Sequence, residues 1–267
     1  MTKLFGISSH KTMLGLSKDF RYLLFVGSGR TGSTLVGQLL NNHPEILITN
    51  ESRVLQKCVA ENKKLSQHIP SLIRESMQTF LHGTHQYDRV GQDNQRKVWQ
   101  RDWVDTSKLE RVPKQHIKLV GDKKQGGNTT TILQGESAVL EAVDMKFVPI
   151  SVVRDPKQVF KSYVKLNSDL EKSANIVIRD MTAGYDFVRR HDGIIVRYEN
   201  LLSDPKQWCG QVCDILGVSR CSRWSELVEQ TVSSNKKPHE LSKEESDFLL
   251  KDPRFNELAR KVEDYDL

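Results

Sequence analysis

The stretch Gly27-Ser28-Gly29-Arg30-Thr31-Gly32-Ser33-Thr34 has the Gly-x4-Gly spacing of a phosphate-cradling turn. Glycines so placed let backbone N–H groups converge on phosphate oxygens, and the positive end of a following helix adds to the attraction. A nucleoside triphosphate loop would also carry a lysine to reach the outer phosphates. Here position 33 is serine, and the nearest cation, Arg30, lies inside the turn. A second set of anion-gripping groups is Arg154, at the end of an apolar run, with Ser162 eight residues later, about two helical turns on. Two such sites on neighbouring strand ends suit a nucleotide with phosphates on both its 5′ and 3′ sides. Glu51, in "TNESRV" just after "EILI", supplies a carboxylate near a further strand end. Taken singly, each has a plainer role: the turn as a tight connection, Arg154 and Ser162 as solvated surface groups, Glu51 as a cap or salt-bridge partner.

The elements that must position these residues alternate. "RYLLFVG" (21–27) is a short apolar run ended by glycine, and "STLVGQLLNNHP" follows with Leu35, Val36, Leu39 and Leu40 at helical spacing before Pro44. That is strand, glycine-rich turn, helix. "EILIT" (45–49), "HIKLVG" (116–121), "KFVPISVV" (146–153) and "GIIVRY" (193–198) are further runs of the kind found in strands buried on both faces. "RDPKQVFKSYVK" then supplies Asp155 as N-cap, Pro156 at the first helical position, and Val159, Phe160, Tyr163 and Val164 as one apolar face. "SDPKQWCGQVCDILGV" starts a helix in the same way, with Gly217 to end it, and Ser242 with Glu245 forms a capping box. The pattern predicts an α/β fold, a mainly parallel β-sheet flanked by helices, with ligands at the carboxyl ends of the strands. No repeat or linker divides the chain, so residues 1–267 read as a single domain. The mostly polar, helix-leaning segment 54–115 reads as an excursion over the active-site face, where Tyr87, Trp99 and Trp103 either shape a pocket or pack the excursion down.

"FVGSGRTGSTLVGQLLNNHP" together with "VVRDPKQVFKSYV" resembles the sulfotransferase family, P-loop-like enzymes whose donor is 3′-phosphoadenosine 5′-phosphosulfate (PAPS). The likeness reaches over about 21–55 and 115–240. It implies that Arg30, Thr31, Gly32, Ser33 and Thr34 cradle the 5′-phosphosulfate, that Arg154 and Ser162 bind the 3′-phosphate, and that Tyr198, in "VRYENLLSDP", lies near the nucleotide. The segment around Glu51 is similar to tyrosylprotein sulfotransferases and related members that use a glutamate as catalytic base; members that sulfate small phenols and steroids use a histidine. His43 lies in a turn and reads as structural, and His82, His85 and His116 have no comparable placement. "KLVGDKKQGG" resembles a family stretch that implies Lys123 against the leaving oxygen or the sulfonate, although Lys124 beside it has the same chemistry. Arg30 shares that work, and Lys237-Pro238 is similar to a nucleotide-closing loop. The implied reaction is in-line transfer of a sulfuryl group to a hydroxyl, with adenosine 3′,5′-bisphosphate (PAP) as product. A sulfonate carries less charge than a phosphate, so no metal is required.

The formal charge of +6 and pI near 9.0 favour a polyanionic partner, whether nucleic acid, a membrane surface or a phosphorylated small molecule. Lys and Arg are scattered, without a basic tail or an aromatic RNA-binding signature. Taken with the resemblance, this predicts a small-molecule hydroxyl acceptor and neither a nucleic-acid nor a membrane partner. A peptide tyrosine or a sugar hydroxyl stands behind it as acceptor. A P-loop kinase or NTPase is the alternative, but it would need the loop lysine. No run approaches the roughly 20 apolar residues that span a bilayer, and the N-terminal stretch is broken by Lys, His and Ser, so a cytoplasmic location is expected. Cys58, Cys209, Cys213 and Cys221 form no C-x-x-C pair and read as free thiols rather than a metal or disulfide site.

Overall fold

The computed structural model describes residues 15–82, 88–90, 96–98, 112–232 and 240–263. In chain order, β1 (Leu16–Val26), α1 (Ser33–Asn42), β2 (Ile46–Asn50), α2 (Val54–Ala60) and α3 (Ile69–His82) come first, with a 3-10 turn at Leu65–His68 before α3. A small antiparallel pair, β3 (Asp88–Val90) and β4 (Arg96–Val98), precedes β5 (Ile117–Lys123), α4 (Gln125–Ala142), β6 (Phe147–Val153), α5 (Pro156–Asn167), α6 (Leu170–Arg190) and β7 (Ile194–Arg197). Helices α7 (Tyr198–Ser203), α8 (Pro205–Leu216), α9 (Ser222–Val232), α10 (Lys243–Lys251) and α11 (Pro253–Glu263) follow.

β1, β2, β5, β6 and β7 form one parallel sheet in the order β2-β5-β1-β6-β7. The five apolar runs read from the sequence are these five strands. Their continuous hydrophobicity has a direct cause: both faces are covered. In β1, Leu23 and Phe25 enter a core with α1, α8 and α9, while Tyr22, Leu24 and Val26 enter the opposite core with α2, α3, α4 and α6. A third cluster joins Val153 to α5, α6, α10 and α11 around Phe160 and Phe255. At the start of the 54–115 segment, α2 and α3 are part of this packing, because Val54, Leu55, Cys58, Leu65, Ile69 and Leu72 are buried in the second core.

Helix ends follow the chemistry read from the sequence. The Asp155 carboxylate accepts from Lys157 N–H with Pro156 behind it, and Asp204 does the same for Gln207 at the start of α8. Gly217 closes α8 at φ 64°, in the left-handed region where a Cβ is costly. Ser242 and Glu245 form the full capping box. Helices α1, α4 and α5 directly follow β1, β5 and β6, so their first turns lie at the carboxyl ends of those strands.

All four cysteines are free thiols, with Cys58, Cys209 and Cys213 buried. Burial pushes the Cys209 and Cys213 thiols up to about 12 and about 11, which makes them poor nucleophiles near neutrality. His43 is fully buried, its ring edge-on to Trp224 and its Nε2 3.0 Å from the Ser219 carbonyl. Burial drops its pKa to about 4, so it is a neutral structural histidine. Among the described residues no helix is long and apolar enough to cross a membrane.

Candidate active site

The turn after β1 is left-handed at Gly27, Arg30 and Gly32, with φ of 108°, 67° and 93°. Alternation of that kind turns successive N–H groups toward one concavity. Gly32 is also the N-cap of α1, whose first turn receives no side-chain cap, so its free N–H groups add to the anion-attracting end. Glycine is required at position 32: a Cβ there would stand 2.4 Å from the Tyr198 ring. Ser28 Oγ is buried within the turn without a hydrogen-bond partner, an orphaned polar atom that an anion in the concavity would satisfy.

The two anion-gripping sets meet. Arg30 Nε donates to Ser162 Oγ at 2.8 Å, joining the turn to the middle of α5. The Tyr198 ring lies between Gly32 and the Arg154 guanidinium, whose Cζ is 5.0 Å from the ring centroid, a cation–π distance. Thr31 is fully buried, its hydroxyl turned inward on the Ser28 carbonyl at 3.3 Å. Ser33 is buried at the start of α1. Lys237 lies outside the described residues.

Beside the turn is a charged cluster. Glu51 directly follows β2; its Oε1 accepts from Lys123 Nζ at 3.0 Å and its Oε2 from Lys124 Nζ at 2.9 Å. Lys123 Nζ also donates to Thr34 Oγ1 at 3.0 Å, tying the cluster to the first turn of α1. Burial raises the Glu51 pKa, but Lys123 and Lys124 outweigh it and hold the carboxyl at about 2. The Lys123 side chain is only 5% exposed; burial lowers its pKa, against the pull of Glu51. Glu51 itself is left-handed at φ 63°.

Several contributors were not singled out in the sequence. Gln125, the first residue of α4, is buried; its Nε2 donates to the Ser28 carbonyl at 2.8 Å, to the Val152 carbonyl at 2.8 Å and to Thr31 Oγ1 at 3.3 Å. Thr129 Oγ1 accepts from Gly27 N–H at 2.6 Å. Tyr163 stands so close to the turn that a Cβ at Gly29 would be 2.8 Å from its hydroxyl. Tyr163 follows Ser162 directly, and its spacing marks it only as part of the apolar face of α5, whereas Gln125 and Thr129 carry no local signal.

The sequence model of the Sulfotransferase family matches residues 23–222, well over half of the chain. The chain belongs to the sulfotransferase family. Its match takes in the turn, Glu51, Lys123, Arg154, Ser162 and Tyr198. No curated protein sequence matches this sulfotransferase. Among solved structures it is similar to the sulfotransferase domain of the Synechococcus PCC 7002 olefin synthase, at 19% identity and TM-score 0.51, with 95% of this chain and 97% of that one covered. At that identity the likeness shows a shared fold. Weaker likenesses are sulfotransferase STF9 from Mycobacterium avium (13% identity, 94% and 78% covered, TM-score 0.49) and the sulfotransferase domain from the curacin biosynthetic pathway (16%, 95% and 100%, 0.48). Among the described residues of the sulfotransferase, no three His, Cys, Asp or Glu side chains gather as metal ligands.

Proposed function

We propose that this sulfotransferase moves a sulfuryl group from PAPS to the hydroxyl of a small molecule, with Glu51 as general base. The observation that carries the reading is the junction of the two anion-gripping sets. Arg30 bonds Ser162, and Tyr198 links Gly32 to Arg154, so a single nucleotide with 5′ and 3′ phosphates would satisfy both sets at once. In this reading the turn from Arg30 to Thr34 holds the 5′ side, Arg154 and Ser162 hold the 3′-phosphate, and Tyr198 lies along the nucleotide between them. Lys237 is assigned, from its resemblance to a nucleotide-closing loop, to the closing of the nucleotide site.

The donor, when bound, supplies an already activated sulfuryl group. The acceptor oxygen forms its bond to sulfur as the bond from sulfur to the 5′-phosphate oxygen breaks, and the acceptor proton passes to the Glu51 carboxylate. A carboxylate held at about 2 by two ammonium groups is a weak base. Charge on the sulfonate and departing phosphate draws Lys123 and Lys124 away from Glu51, which raises its basicity when it is needed. The same lysines, Arg30 and the α1 N–H groups then stabilise the leaving oxygen. This scheme calls on no metal. The acceptor pocket is assigned to the 54–115 segment, within one domain spanning the chain; Tyr87, Trp99 and Trp103 lie outside the described residues.

The test is transfer of radiolabelled sulfate from PAPS across a panel of phenols, alcohols, peptides and sugars. Glu51→Ala should lose about 100-fold or more in kcat while keeping its affinity for PAP, the behaviour of a missing general base. Unchanged turnover in that variant removes Glu51 from the base role. Transfer to peptides or sugars alone would replace the small-molecule acceptor.

A further inference from the structure

Glu51 reaches both lysines from a backbone that glutamate rarely adopts. It is left-handed at φ 63°, and Arg53, two residues on, is left-handed at φ 59°. Few non-glycine residues sit in this region, because the Cβ crowds the backbone there. Something in the surroundings must hold the turn. Arg53, the N-cap of α2, makes no side-chain cap bond, so its own side chain does not hold the turn.

The hold comes from β5. Glu51 N–H donates to the Lys123 carbonyl at 3.0 Å. Next along, Ser52 N–H donates to Asp122 Oδ1 at 2.9 Å, and that oxygen also accepts from Thr49 Oγ1 at 3.1 Å. Asp122 is fully buried, between Leu24 of β1 and Thr49 of β2 in the sheet register. Burying a carboxylate there is costly, and its Oδ2 has no partner. A residue chosen for packing alone would be apolar, as Leu24 beside it in β1 is. The end of β5 thus presents three consecutive groups to one turn: Asp122 grips its backbone, and Lys123 and Lys124 grip its carboxylate.

We propose that Asp122 is a positioning residue that pins the Glu51-Ser52-Arg53 turn through Ser52 N–H and so sets the Glu51 carboxylate between Lys123 and Lys124. Its catalytic consequence rests on the reading of Glu51 as the base; its geometric consequence does not.

The experiment uses the full-length chain with Asp122→Asn and Asp122→Ala. Asparagine keeps an oxygen that accepts from Ser52 N–H; alanine does not. The first readout is the Glu51 carboxyl titration followed by carbon NMR. The wild-type midpoint should lie well below the ordinary glutamate range, at about 2; it should stay there in Asp122→Asn and rise by about one pH unit or more in Asp122→Ala, toward an ordinary glutamate. A midpoint unmoved in Asp122→Ala, or moved equally in both variants, overturns the proposal. If Asp122→Ala does not fold, Thr49→Val, which removes the hydroxyl that orients the carboxylate, should shift the midpoint in the same direction, and no shift overturns it. The second readout is turnover. Asp122→Ala should lose about tenfold or more in kcat with PAP affinity unchanged, and should add little further loss in a Glu51→Ala background. If Glu51→Ala alone turns over normally, the base reading fails while the titration still decides the role of Asp122.

Discussion

Glu51 is the residue on which the chemistry turns, and its ion pairs make it sensitive to pH in a defined direction. Its folded pKa is depressed to about 2 from an ordinary 4.5. A depressed carboxylate contributes stability that is present above the unfolded pKa and lost as pH falls toward the folded one. The melting-temperature difference between wild type and Glu51→Gln should therefore be constant near neutrality and shrink as pH falls from about 4.5 toward 2; a difference independent of pH in that window would show that the two lysines do not hold the carboxylate. Arg154 makes a separate prediction. Arg154→Ala should weaken PAP binding far more than binding of AMP, which lacks the 3′-phosphate. A charge-assisted contact is worth roughly 1.5–3 kcal/mol, or about 10- to 150-fold in Kd. Titration calorimetry with both ligands checks it, and equal losses would take Arg154 out of the 3′ site.

At the scale of elements, the turn is a device clamped from behind by α4. Gln125 bonds the turn at Ser28 and Thr31 and the neighbouring strand at Val152, and Thr129 takes up Gly27 N–H. Gln125→Leu keeps the approximate shape but removes the bonds to the Ser28 and Val152 carbonyls, and a lost buried hydrogen bond costs about 1–3 kcal/mol. It should lower the melting temperature and weaken PAP about tenfold, with the Glu51 titration unmoved; full PAP affinity in a destabilised variant would show that the clamp serves folding alone. This element also shows why the site was only partly legible in the sequence. The turn, Arg154 with Ser162, and Glu51 each follow an apolar run closely, so type and spacing exposed them. Gln125 reaches Ser28 across 97 positions and Asp122 reaches Ser52 across 70, and no local pattern encodes such contacts. Lys123, expected at the leaving oxygen, bonds Glu51 and Thr34. The strands were legible because sheets covered on both faces need continuous apolar runs.

Over the whole molecule, five parallel strands bring first turns and loops from distant parts of the chain to one edge, where Arg30 meets Ser162, Arg154 meets Tyr198, and Glu51 meets Lys123 and Lys124; the proposed site lies among them. The central claim is that this site takes a nucleotide phosphorylated on both sides, held without the loop lysine of a triphosphate site. The most direct measurement is the melting temperature of the wild-type chain with PAP and, separately, with ATP and magnesium. A ligand at a hundredfold excess over its Kd stabilises the folded state by about 2.7 kcal/mol, on the order of 5 °C or more for a chain of this size. The account predicts a rise of that order with PAP and little with magnesium ATP. A rise with magnesium ATP and none with PAP would contradict it, and the sulfuryl-transfer roles of Glu51, Lys123 and Arg154 would fall together.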